Sequence, residues 1–182
     1  MKLTKLIKVF LIGCVLFIAS LNTYQNKNNF VKVSHAEEFV NKQDNQEINC
    51  LTVALFKEAR GESITGKAAV AQVILNRTEH SSFPDSICKV IKQKNQFSWY
   101  KGNTRDFQKL LKGDLRGFKS KDIEAYQDAK QIALKAFYGL PEYNPKLSKA
   151  LYFVHKRVTH LQQPWLRNLK LKAIIGNHKF YG

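Results

Sequence analysis

Apolar residues recur at helical spacing from Ile48 through Leu51, Ala54 and Leu55 toward Arg60, where Gly61 supplies a stop. A second period predicts a helix over Thr65–Glu79, with Ala69, Val70, Val73 and Ile74 on its apolar face and Thr65 as its cap. Pro84 opens a short third helix with Ile87, Val90 and Ile91 on one side, and Thr104 caps a fourth that runs through Phe107, Leu110 and Leu111. The longest period predicts a helix over Ser120–Tyr138, with Ile123, Tyr126, Ala133 and Phe137 inward, Gly139 at its end and Pro141 just beyond. After it the texture changes. Ala150–Val154 and Ala173–Tyr181 are aromatic and β-branched and read as short strands, Gly176-Asn177 marking a turn or bulge. Helices first and a small antiparallel sheet late define an α+β domain.

The N-terminal pattern is different. Lys2, Lys5 and Lys8 precede an apolar run over Val9–Leu21, too short for an ordinary membrane span and suited to a secretory signal. Ser34-His35-Ala36 offers a small-x-small cleavage site, whereas Leu11-Ile12-Gly13-Cys14 resembles a lipoprotein box; an uncleaved anchor is the remaining alternative. Asn22–Gln46 is polar and aperiodic, a linker. The expected organisation is a signal segment or anchor over 1–36, a linker over 37–46 and a folded domain over 47–182. An exported protein of the periplasm, envelope or exterior follows from it.

Composition narrows the picture further. With 44% apolar residues the chain can bury a core, and 182 residues are too few for two full enzyme domains. Beyond Ala36 it holds 25 of the 30 bases and all 14 acids, a net charge of +11 that favours polyanions. Export makes an anionic cell-wall or membrane surface the expected partner, and no nucleic acid. Outside the signal segment only Cys50 and Cys88 remain, an even pair in an oxidising compartment, expected to form a disulfide closing a 38-residue loop.

Several residues carry candidate chemistry. Glu58 ends an apolar helix, where burial and the negative end of the helix dipole raise a carboxyl pKa toward the range of a general acid, while Lys57 and Arg60 oppose that shift. Glu62, four residues on, would complete a carboxylate pair suited to glycoside hydrolysis if the helix continued; otherwise it caps the next helix or pairs with Arg60 or Arg77. His155 and His178 fall in the two late strands, but no closely spaced ligand pair such as HExxH is present, so no metal and no cofactor are expected. Trp99, Tyr100, Tyr152, Trp165 and Tyr181 could stack on sugar rings.

Taken in order, Glu58-Ala59-Arg60-Gly61-Glu62, Gly66–Val73, Asn76-Arg77, Phe83-Pro84 and Gln96-Phe97-Ser98-Trp99 resemble the SleB/CwlJ family of cell-wall hydrolases. The close resembles it too, in Ala150–Phe153, His155, Pro164-Trp165 and Ile175–Tyr181. The resemblance spans Cys50 to Tyr181 and implies a mainly helical, lysozyme-like domain that cleaves the glycan strand of peptidoglycan as a lytic transglycosylase. It places the catalytic acid at Glu58 and substrate binding at Glu62, Gln96, Ser98, Trp99, His155, His178 and Tyr181. Cleavage of the muramoyl–peptide amide and a non-catalytic wall-binding module are the rival readings, and a monomer is the default. The stretch Lys156–Gln163 is longer than the family's usual connection.

Overall fold

A computed structural model describes residues 42–139 and 144–182, so the apolar N-terminal segment and its cleavage motifs lie outside the described residues. The elements are α1 (Lys42–Glu58), α2 (Ile64–Thr78), α3 (Ile87–Lys92), α4 (Arg105–Leu111), α5 (Ser120–Phe137), β1 (Tyr152–His155), β2 (Leu171–Ile175) and β3 (His178–Tyr181). Two single-turn 3-10 helices, Pro145–Leu147 and Pro164–Asn168, flank β1. The strands form one antiparallel sheet in the order β1-β3-β2, as the α+β reading requires.

α1 starts at Lys42, inside the stretch read as linker. Its first turns are polar and mostly exposed, so apolar periodicity could not reveal them, but Asp44 suits the positive end of the helix dipole. Glu47 then anchors these turns by accepting the Cys88 backbone N–H at 3.1 Å. From Ile48 to Phe56 nearly every side chain is buried, Thr52 included, whose hydroxyl donates to the Ile48 carbonyl at 2.8 Å. A helix enclosed on all sides is a core helix, and α2 to α5 pack around it.

Two helix starts differ from expectation. Ser63, in extended backbone, caps α2 by accepting from the Gly66 N–H at 3.2 Å, leaving Thr65 inside the first turn. Ser86 caps α3, so Pro84 lies upstream of the helix instead of opening it. Thr104 caps α4 as the pattern indicates. α5 buries Tyr126, Ala129, Ile132 and Ala133, while Ile123 and Phe137 are only half-buried. The Tyr126 hydroxyl donates to the Leu110 carbonyl at 2.6 Å, and burial pushes its pKa up to about 12.

The polar side chains of α2 do not face solvent. Gln72 exchanges two hydrogen bonds with the Asn144 backbone, and Asn76 donates to the carbonyls of Leu147 and Ala150 at 2.7 and 2.8 Å. Arg77 donates through Nε to the Leu151 carbonyl at 2.7 Å. This ladder satisfies irregular backbone that would otherwise be buried unpaired, and it delivers the chain into β1 at a fixed place against the helices.

The Cys50–Cys88 disulfide joins α1 to α3. Replacing both cysteines with alanine reopens a 38-residue loop in the unfolded chain and should cost about 3–4 kcal/mol, read as a lower urea midpoint of unfolding.

Candidate active site

Glu58 is the last residue of α1 and is half-buried. Trp99 donates its indole N–H to Glu58 Oε1 at 2.6 Å. The indole is held in turn by Phe97 and Phe107, with ring centroids at 5.6 and 6.2 Å. Burial raises the Glu58 pKa above its ordinary value, and the Trp99 hydrogen bond and the Arg77 charge only partly oppose it. The cation that acts on Glu58 is therefore Arg77; Lys57 is exposed, and Arg60 is paired with Asp122 at 2.6 Å. Because an indole only donates, Oε1 must accept, so a proton on this carboxyl would sit on Oε2.

Arg77 is itself 2% exposed, and no carboxylate lies within ion-pair distance of it among the described residues. With the Gln96 amide oriented by its surroundings, the amide oxygen accepts from both terminal guanidinium nitrogens at 3.1 and 3.2 Å. The rings of Phe83, Phe97 and Tyr152 lie 5.3–5.9 Å from the guanidinium carbon. Burial lowers the Arg77 pKa to about 10, with Tyr152 and Glu58 opposing, so it stays charged at neutral pH.

Glu62 has another situation. α1 stops at Glu58, so the two carboxylates do not share a helical face. The Glu62 side chain is 8% exposed, and both its oxygens accept from Asn177, one from the backbone N–H and one from the side-chain amide, each at 3.0 Å. His178 Nδ1 lies 3.8 Å from Oε1. Burial alone would raise the Glu62 pKa, but the Asn177 donations and the charges of His178 and His155 outweigh it and hold the carboxyl below its ordinary range. Gly176 and Gly66 leave room for this carboxylate. A Cβ at Gly176 would collide with Oε2, and one at Gly66 would stand 2.9 Å from the Glu62 Cβ. Glu62 thus ties the α1–α2 loop to the β2–β3 turn, pairing neither with Arg60 nor with Arg77.

The remaining expected site residues divide. Ser98 and His155 are exposed, and Gln96 is turned to Arg77. Trp165 is exposed and packs on Tyr152 at 5.4 Å. His178 is 6% exposed, and burial lowers its pKa. Tyr181, also expected to bind substrate, is 5% exposed on the central strand β3, which β1 and β2 flank. Arg77 and Asn177 were visible only as part of a motif and of a turn, since neither contact is local in sequence. Among the described residues no group of three or more His, Cys, Asp or Glu is placed to hold a metal ion.

A helical domain that sets one half-buried carboxyl between an indole donor and an enclosed guanidinium has the form of a general acid–base enzyme. The chain belongs to the Cell Wall Hydrolase family, whose model matches residues 61–181, beginning three residues after Glu58. It is 43% identical over 136 residues to the spore cortex-lytic enzyme of Bacillus subtilis strain 168, covering 75% of this chain and 37% of that protein. A spore cortex-lytic enzyme of Bacillus cereus is 38% identical over 140 residues, 77% of this chain and 46% of that protein. The chain thus spans less than half the length of these curated relatives. In structure it resembles the catalytic domain of the Bacillus cereus SleB protein, with TM-score 0.54 and 26% identity over 75% of this chain and 90% of that one. The catalytic domain of a germination-specific lytic transglycosylase, SleB from Bacillus anthracis, gives TM-score 0.51 and 27% identity, covering 75% and 94%.

Two outcomes follow from these environments. A carboxyl whose folded pKa lies above its ordinary value of 4.5 loses stability as pH rises from there through the folded value. Glu58→Gln keeps an acceptor for Trp99 without the charge, so it should melt higher than wild type at neutral pH, with the difference vanishing below the ordinary value. Gly176→Ala should lose about 1–3 kcal/mol in denaturant unfolding, since it meets the Glu62 carboxylate at a φ of +58°.

Proposed function

We propose that this protein cleaves the glycan strand of peptidoglycan as a lytic transglycosylase, with Glu58 as its single acid and base. The observation that carries the reading is the contrast between its two neighbouring carboxyls. Burial favours the protonated form of Glu58, whereas Glu62 is held below its ordinary range with both oxygens accepting from Asn177, which suits a carboxylate that fixes a turn better than a nucleophile or general base. Chemistry that needs one carboxyl fits this arrangement. Glu58 Oε2 protonates the glycosidic oxygen as the bond to the muramic carbon breaks. The resulting carboxylate then takes the proton of the muramic 6-hydroxyl as that oxygen attacks the same carbon, which closes a 1,6-anhydro ring and restores the acid.

Arg77 and Trp99 stabilise the carboxylate between these two steps, until it takes up the proton of the 6-hydroxyl. The names of the relatives, cortex-lytic and lytic transglycosylase, support the same substrate class. Such a substrate lies outside the cytoplasm, which agrees with the basic, apolar N-terminal pattern, and the positive charge of the chain suits an anionic envelope. Exposed Ser98 and His155 are the expected site residues that remain open to a glycan.

Mass spectrometry of peptidoglycan digested by the full chain should find fragments ending in anhydromuramic acid. Glu58→Gln should lower their rate of formation by roughly 10²-fold or more. Reducing sugar ends would point to hydrolysis instead, free peptides to an amidase, and no products to a binding module.

A further inference from the structure

Residues 144–182 contain eight lysines and arginines and no aspartate or glutamate, whereas 42–139 set 17 bases against 11 acids. None of those eight takes part in an ion pair among the described residues. The same short segment carries four of the six exposed large hydrophobic residues among the described residues, Leu161, Trp165, Leu171 and Ile174, exposed by 42–83%. Single exposed apolar residues are ordinary; their concentration in an acid-free, strongly cationic segment is not.

The sheet register brings charge and apolar surface together. Phe153, Phe180 and Ala173 lie side by side and pack toward the helical core. Alternation puts the next row, Val154, Lys179 and Ile174, on the opposite side of the sheet. Alternation sets Tyr152 on that side at the start of β1, where its ring reaches Trp165 as well as Phe83 and Arg77. Lys179 Nζ donates to the Val158 carbonyl at 3.2 Å, drawing the Lys156–Gln163 loop, with Lys156, Arg157 and Leu161, toward the same side.

We propose that this outer side of the sheet docks on an anionic phospholipid bilayer. Trp165, Leu161 and Ile174 enter the interfacial layer, and Lys156, Arg157 and Lys170 meet the phosphates. A hydrophilic polyanion would satisfy the cations equally well but would leave these three hydrophobic side chains in water, which is why lipid is the better match. The proposal does not depend on which bond Glu58 cleaves.

The test uses the full chain and phosphatidylglycerol-containing vesicles with brominated acyl chains, which quench only tryptophan in contact with the bilayer. Emission should be quenched, and Trp165→Phe, checked for an unchanged melting temperature, should abolish the quenching. This local readout is independent of any other segment that reaches the membrane. The double variant K156Q/R157Q should raise the lipid concentration for half-maximal quenching on the order of tenfold. Four results would overturn the idea: no quenching, quenching that survives in Trp165→Phe, equal quenching on phosphatidylcholine alone, or capture by poly(glycerol phosphate) with Trp165 unquenched on vesicles.

Discussion

A guanidinium sealed inside a protein without a carboxylate at contact distance must be stabilised by dipoles and polarisable faces, and Arg77 is held in this way. The Leu151 carbonyl, the Gln96 amide and three aromatic rings belong to different parts of the chain, and the one cation draws them together. Phe83 and Phe97 flank α3, Tyr152 opens β1, and Arg77 itself sits on α2. Its field reaches Glu58 across the same space. The approach of β1 to the helices, the seat of the Trp99 loop and the acidity of the candidate catalytic group therefore depend on a common charge.

Glu58 and Glu62 illustrate how little the residue type says about chemistry. Both are glutamates with enclosed side chains four positions apart, yet burial wins over hydrogen bonding at the first and loses at the second. The difference is the number of donors. One indole N–H does not repay the desolvation of Glu58, whereas two donors from Asn177, with imidazoles nearby, more than repay that of Glu62. The first carboxyl is left able to exchange a proton and the second becomes a clasp between the helices and the β2–β3 turn. The close fit of Gly66 and Gly176 around that clasp fixes the turn against the loop that follows Glu58.

Helical periodicity, capping residues and the shift to β-branched and aromatic texture located the long helices among the described residues and the late strands, because these are local properties. So did the pairing of two cysteines, which required only an even count and an oxidising setting. The order of short motifs, from Glu58-Ala59-Arg60-Gly61-Glu62 to the final Tyr181, was sufficient to identify the family. Local reading failed where the reason was distant. The polar first turns of α1 are ordered by Glu47 reaching Cys88, and the amides of α2 face inward because they hold backbone more than 70 residues away.

The sequence by itself therefore determined the class of fold, the disulfide, the family and the candidate acid at the end of an apolar helix. Tertiary structure alone decided that Arg77 opposes the shift at Glu58, that Glu62 is taken up by Asn177, that Tyr181 is interior, and that cations and apolar residues share the outer side of the sheet. Each of these depends on desolvation and on hydrogen bonds between residues far apart in the chain, quantities that have no value until the chain has closed on itself.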